Sequence, residues 1–198
     1  MAKQKVKLSR ERQANTYVET WQASNVLLDK AKKDPEGSYY QLMASLIFTA
    51  FTLEAYLNHI GQRIFKCWND LEQLSPSRKL NVIAEKLQVE KDDGKRPFQK
   101  VSELFKFRND VAHGKSVPVK DEVETAVADE TVDDFMRKRP ETAWEKYCTL
   151  QNVERARVDV ESIMERLHRA SDTSGPLFPP DTWSGSATSL LRNQQNLQ

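Results

Sequence analysis

The stretch that decides the fold is SYYQLMASLIFTAFTLEAYLNHIGQRIFKCW, residues 38–68. Apolar side chains recur in it every three or four positions, which places them on one stripe of a long helix. The members of this stripe are Leu46, Ala50, Leu53, Leu57, Ile60 and Ile64. Glu54 interrupts a second apolar face formed by Ile47 and Phe51. A carboxylate in that position needs a partner or a function.

The same helical spacing continues on both sides of this segment. Turn signals separate the periodic stretches, and prolines stand where a helix can begin. The predicted helices cover residues 10–33, 38–68, 75–87, 97–112 and 140–170. Gly114 is expected to end the fourth helix in a left-handed cap. Only 6 of the 198 residues are glycine, which disfavours a turn-dense all-β fold. Together with the predicted helices, this composition indicates an all-α bundle of four to five helices.

An acidic insertion precedes the last predicted helix. It covers about residues 116–139 and has seven Asp and Glu but no Lys or Arg between Asp121 and Asp134. We interpret it as a solvated segment with a short helix near Phe135.

The two ends of the chain differ in composition from the predicted helical domain, residues 10–171. A basic arm covers residues 1–9, and the last segment, residues 172–198, is rich in Pro, Ser, Thr, Gln and Asn. We expect this tail to be disordered, because it has too little apolar content to offset chain entropy. Phe178 and Trp183 are its candidates for contact with a protein partner.

Composition and motifs exclude several classes of function. With a net charge of +1, the protein lacks the strong positive field that a DNA-coating protein needs. Cys67 and Cys148 form no C-x-x-C pair, so neither a zinc site nor a disulfide framework is supported. We also find no phosphate-binding glycine loop, secretion signal or membrane span. We therefore expect a cytoplasmic protein with no membrane association, metal or cofactor.

Only three histidines are present, at positions 59, 113 and 168. His59 is expected at a rim or surface, and His168 near the end of the last helix. His113 closes the segment FKFRNDVAHG, residues 105–114, at a helix C-terminus that stabilises an imidazolium and suits acid–base work. Arg108 interrupts the apolar face of this helix. An ion pair with Glu54 and a functional role are both open explanations for it.

The residues Arg108-Asn109-x-x-x-His113 resemble the Arg-x4-6-His signature of the HEPN superfamily (higher eukaryote and prokaryote nucleotide-binding domains). The helix containing Glu54 and Asn58 is similar to the second-helix pattern of that family. The similarity covers roughly residues 38–113. It implies an all-α bundle that forms a homodimer, in which Arg and His of both chains line one cleft that cleaves RNA without a metal.

The resemblance assigns roles to individual residues. Arg108 and His113 are the candidate catalytic residues, since His can transfer a proton and Arg can bind the phosphate during attack of a ribose 2′-hydroxyl. Their expected supporting residues are Asn109, Glu54 and Asn58. RNA contacts are expected from Lys106 and Lys115, within a segment, residues 77–120, that has eleven Lys and Arg against six Asp and Glu.

Helical geometry separates the two candidate catalytic residues. At 100° per residue, Arg108 and His113 diverge by about 140° around a regular helix. A second chain or a distorted helix end is needed to bring them to one phosphate.

The favoured hypothesis is an endoribonuclease of the HEPN type, in stress response or antiphage defence. The alternative is a non-catalytic HEPN-like module that binds a nucleotide, RNA or a protein partner.

Overall fold

The computed structural model describes residues 6–122, 130–180 and 183–189. Eight helices and two strands lie in these ranges. The helices are α1 (Thr16–Lys33), α2 (Tyr39–Ile64), α3 (Trp68–Leu71), α4 (Pro76–Lys86), α5 (Phe98–Ala112), α6 (Glu130–Arg137), α7 (Ala143–Tyr147) and α8 (Leu150–Ala170), and the strands are β1 (Val6–Arg12) and β2 (Trp183–Ser189). The prediction of an all-α bundle is confirmed. None of the described helices combines the length and apolar character that a bilayer crossing requires.

The chain divides into two compact units. The larger unit, Thr16–Leu177, contains all eight described helices. The smaller unit is formed by the terminal segments, in which β1 pairs with β2.

Helix α2 lies at the centre of the larger unit and contacts α1, α3, α4, α5 and α8. The predicted apolar stripe supplies its buried face, and α4, α5 and α8 bury apolar residues as well. The largest fully buried aliphatic side chains are Leu46, Leu53, Leu57, Ile60, Ile83, Val101, Leu104, Val153, Ile163, Met164 and Leu167. Each contributes about 1.5 to 3 kcal/mol relative to an exposed position, so this shared core determines how the helices pack.

Small polar side chains join α1 to α2. Ser24 Oγ donates a hydrogen bond to Ser45 O at 3.0 Å, and Ser45 Oγ donates one to Ser24 O at 2.9 Å. Nearer the start of α1, Thr52 Oγ1 donates to Thr20 Oγ1 at 3.0 Å. The bonded residues of α2 rise in number from Ser45 to Thr52 as their partners on α1 fall from Ser24 to Thr20, so the two helices run antiparallel.

Arg157 of α8 extends this polar seam. Its Nη1 donates to Ser24 Oγ at 2.7 Å and to Trp21 O at 3.3 Å, and its guanidinium stacks 3.7 Å from the centre of the Trp21 ring. Burial lowers the pKa of the Arg157 guanidinium. The buried guanidinium of Arg157 is therefore a structural link between α8 and α1.

An ion pair anchors the start of α5 on α8. Arg96, just before α5, donates from Nη2 to Asp159 Oδ1 at 2.9 Å and from Nε to both carboxylate oxygens at 3.1 and 3.2 Å. Asp159 is buried, so this two-pronged contact ties the residue just before α5 firmly to α8.

Several predicted helix boundaries are corrected. The first helix begins at Thr16, not at residue 10. The predicted helix 140–170 is two helices, α7 and α8, because the Thr149 side chain caps a new helix by accepting from Asn152 N at 3.2 Å. The left-handed cap expected at Gly114 is absent, because Gly114 does not have a positive φ.

The acidic insertion contains the predicted short helix. Helix α6, Glu130–Arg137, includes Phe135. The stretch 123–129 lies outside the described residues.

Disorder was the wrong prediction for part of the C-terminal tail. Strand β2 pairs antiparallel with β1, with Trp183 opposite Arg12 and Ser189 opposite Val6. Main-chain groups form such a ladder even between strands with little apolar content, and the pairing joins opposite ends of the chain, so no local pattern signals it. Residues 190–198 lie outside the described residues, and a protein partner for the tail stays a prediction.

Substituting Gly61 by Ala tests the contact between α2 and α3. Ala is favoured over Gly inside a helix by about 1 kcal/mol, but a Cβ at Gly61 would overlap the buried Trp68 ring. We expect a net loss of about 1 to 3 kcal/mol in the free energy of unfolding, measured in urea. The double variant Gly61→Ala/Trp68→Leu should recover part of it. A Gly61→Ala protein more stable than wild type would contradict this packing.

Candidate functional site

A cleft of about 780 Å³ opens beside the second half of α2, the start of α4 and the end of α5. Residues of these elements and of the segment after α5 supply its polar lining. The groups that matter chemically are Glu54, Lys79, Arg108, Asn109, His113 and Lys115. The cleft thus brings together four of the predicted site residues and one predicted RNA contact. The site residues are Arg108, His113, Asn109 and Glu54, and the RNA contact is Lys115.

Arg108 is held in place by three neighbours. Its Nη2 forms an ion pair with Glu54 Oε2, and its Nη1 donates to Asn109 Oδ1 at 2.8 Å. The guanidinium also lies 5.6 Å from the centre of the Phe51 ring. Three further N–H donors of Arg108 have no acceptor among the described residues, so the group is positioned and still able to bind an anion. The predicted Glu54–Arg108 ion pair is confirmed.

His113 is an exposed residue of the cleft lining. Its backbone N–H donates to Asn109 O at 2.9 Å, which closes the last turn of α5. The side chain is exposed and makes no hydrogen bond to another described residue. Arg108 and His113 of a single protomer line the same cleft, and the chain leaves helical geometry at His113. The homodimer stays a prediction.

The other histidines are placed away from this cleft. His59 packs against the rings of Tyr17 and Tyr56, with centroids 5.0 and 6.4 Å away. Burial lowers the pKa of His59 and favours its neutral form. His168 Nε2 lies 3.1 Å from Gly175 O. Among the described histidines, only His113 combines exposure with a place in the cleft.

Asn58 and Lys106 are not part of the cleft lining. Asn58 contacts a residue of the lining, since its Oδ1 accepts a hydrogen bond from Lys79 Nζ at 2.8 Å. Lys106 lines a smaller groove of about 230 Å³ that shares Asp110 and Trp144 with the main cleft. It therefore lies beside the cleft instead of in it.

Lys79 also lines the cleft, although it was not among the predicted site residues. It lies on α4, three residues after Pro76 and four before Ile83, in line with the apolar face of that helix. Its side chain is buried, with 3% of its surface exposed. The signal in the sequence is a lysine at helical spacing from apolar residues, which indicates that its side chain is buried.

Cations and carboxylates balance in this cleft. Three side chains are basic, namely Lys79, Arg108 and Lys115, and three are acidic, namely Glu54, Glu72 and Asp110. Selective binding of an anion therefore depends on which of these charges are already paired, and Glu54 is paired with Arg108.

A capping box positions the wall formed by α7. Thr142 N donates to Glu145 Oε2 at 2.7 Å, and Glu145 N donates to Thr142 Oγ1 at 3.3 Å. The backbone hydrogen bond from Thr142 lowers the pKa of the Glu145 carboxyl. Thr142 and Trp144 line the cleft, so this local motif defines one of its sides.

Within residues 6–122, 130–180 and 183–189, no cluster of three or more His, Cys, Asp or Glu side chains is arranged to hold a metal ion. Comparisons with protein-family models, curated proteins and solved structures find no significant match to this chain.

The Glu54–Arg108 pair can be measured by a double-mutant cycle with Glu54→Gln and Arg108→Ala. The two side chains are 24% and 18% exposed, so solvent screens the pair in part. We expect a coupling energy of about 1 to 2 kcal/mol in urea unfolding, below the 3 to 5 kcal/mol for removing one partner of a fully buried pair. Equal effects of Arg108→Ala in the wild-type and Glu54→Gln backgrounds would show that the pair contributes nothing to stability.

Proposed function

We propose that this protein is a metal-independent endoribonuclease of the HEPN type. The observation that carries the proposal is the juxtaposition in one cleft of a positioned guanidinium and an exposed imidazole. Arg108, held by Glu54 and Asn109, can bind phosphate oxygens. His113, exposed in the lining of the same cleft, can exchange protons with a substrate.

The chemistry follows from these two groups. His113, as a neutral imidazole, removes the proton from a ribose 2′-hydroxyl, whose oxygen attacks the adjacent phosphorus. Arg108 stabilises the negative charge that develops on the non-bridging oxygens. The bond to the 5′-oxygen breaks, and that oxygen takes up a proton from imidazolium or water. The products are a 2′,3′-cyclic phosphate and a 5′-hydroxyl.

One observation favours the alternative of a non-catalytic binding module. No described side chain forms a hydrogen bond that orients the His113 ring, whereas acid–base histidines are commonly held by a second group. In that case Arg108 and His113 bind a phosphate-containing ligand without cleaving it. Incubation of the purified protein with mixed RNA in EDTA separates the two functions.

The assigned roles predict the effect of removing each group. His113→Ala should lower the rate of RNA cleavage by about 10² to 10⁴, and Arg108→Ala should also abolish detectable cleavage. Wild-type cleavage should persist in EDTA and leave 2′,3′-cyclic phosphate ends, identified by mass spectrometry. The matched control His168→Ala removes an imidazole outside the cleft and should retain the wild-type rate. Cleavage at that rate by His113→Ala would eliminate the proposed site.

We further propose that two chains associate through the outer face of α2. Tyr40, Ile47 and Phe51 follow one another along this face at helical spacing, and Tyr40 and Phe51 are exposed to 70% and 38%. Glu54 continues the same line and leads to Arg108. Association along this face would bring the two Arg108–His113 segments together in one composite cleft.

Light scattering tests the dimer directly. We expect a mass near twice 22.8 kDa at micromolar concentration, and Tyr40→Arg should weaken association. Mixing inactive Arg108→Ala and His113→Ala chains should restore part of the cleavage, because a mixed dimer keeps one intact Arg and one intact His in the composite cleft. A monomeric protein, or a mixed dimer without activity, would contradict a shared site.

A further inference from the structure

Lys79 is a buried cation without a carboxylate partner among the described residues. Its side chain is 3% exposed, yet it lines the cleft. Of the three N–H donors that an ammonium carries, one is used by Asn58 Oδ1 at 2.8 Å. No described acidic group forms an ion pair with it.

The three cleft cations differ in how far their charge is already compensated. Arg108 is paired with Glu54, and Lys115 is exposed to water. Lys79 is removed from solvent and has only a neutral amide oxygen as partner. Burial of an ammonium under these conditions is costly, and an anion that enters the cleft would offset that cost.

The first turn of α4 adds a second favourable group at the same place. Leu74, Ser75 and Pro76, at the start of this 11-residue helix, line the cleft. Ser75 makes no side-chain capping hydrogen bond. The positive end of the helix dipole therefore lies at the cleft beside Lys79 and is not capped by the Ser75 side chain.

We infer that Lys79 Nζ, with the first turn of α4, forms a phosphate-binding subsite next to the Arg108–His113 pair. The ligand chemistry is a phosphate oxyanion; its identification as an RNA phosphodiester rests on the proposed function. Asn58 is a positioning residue, because it holds the ammonium through one hydrogen bond and leaves the other donors free. Glu72 and Asp110 line the same cleft, and neither forms an ion pair with Lys79.

Binding of a non-cleavable 2′-O-methyl RNA oligonucleotide, measured by fluorescence anisotropy, tests the subsite independently of catalysis. Lys79→Met should weaken binding by about 10- to 100-fold, as expected for loss of a charge-assisted hydrogen bond. The slope of log Kd against log salt concentration should also decrease by the amount expected for about one phosphate contact. The control Lys33→Met removes the same charge from an exposed position on α1 and should bind as wild type does.

Thermal unfolding separates a binding role from a structural one. Because Lys79→Met removes a buried charge and keeps an extended side chain, its melting temperature should equal or exceed that of wild type. Asn58→Asp supplies a carboxylate to Lys79 and should also keep the protein folded while weakening RNA binding. A fall in melting temperature with unchanged RNA affinity in Lys79→Met would assign Lys79 to structure and overturn the inference.

A second probe distinguishes failure of this inference from failure of the proposed function. Pyrophosphate, at matched ionic strength, should raise the melting temperature of wild type but not of Lys79→Met. Wild type that binds 2′-O-methyl RNA through Lys79 yet leaves ordinary RNA intact would refute the nuclease and support the subsite. Stabilisation by pyrophosphate alone would support the subsite and remove RNA as its ligand. Wild type that responds to neither probe would overturn the subsite.

Discussion

Burial of α2 is the constraint on which the rest of the helical unit depends. Among the described elements, this helix contacts α1, α3, α4, α5 and α8. The polar seam of Ser45, Thr49 and Thr52 faces α1, while the fully buried Leu46, Leu53 and Leu57 form the apolar core. Gly61 leaves room for Trp68 at the far end. Because α2 is enclosed in this way, the helices around it have little freedom to shift without opening the core.

The same helix connects the core to the cleft. Glu54 and Asn58 are one turn apart on α2, and each holds one cation of the cleft, Arg108 and Lys79 respectively. The two cations come from different helices, α5 and α4. Their positions relative to each other are therefore set by the packing of both helices on α2. The contrast between the two contacts matters for chemistry, since a carboxylate compensates the charge of Arg108 and an amide leaves that of Lys79 uncompensated.

Much of this arrangement could be predicted, and the errors have identifiable physical reasons. The long stripe of α2 was predictable from the spacing of its apolar residues. The Glu54–Arg108 pair was predictable because each charge interrupts an apolar face and needs an opposite charge. Helix boundaries were less predictable, as at Thr149, where a single side-chain cap starts α8. The contact of Arg157 with Ser24 and Trp21 joins distant parts of the chain, so no local pattern indicates it. Lys79 was counted only as one of the eleven basic residues of segment 77–120, and its burial was not expected because a lysine is seldom buried.

The sequence by itself determined the all-α class and the long helix within residues 38–68, and it offered the Arg108–Glu54 ion pair as one explanation for a charge on an apolar face. These follow from periodicity and from the cost of an unpaired charge, which act between residues whose pattern can be recognised along the chain. Only the tertiary structure decided that Lys79 is buried in the same cleft, that Arg157 ties α8 to α1, and that β1 pairs with β2. Each of these depends on groups brought together from distant parts of the chain, where the meeting point is set by the packing of whole elements and not by any local spacing.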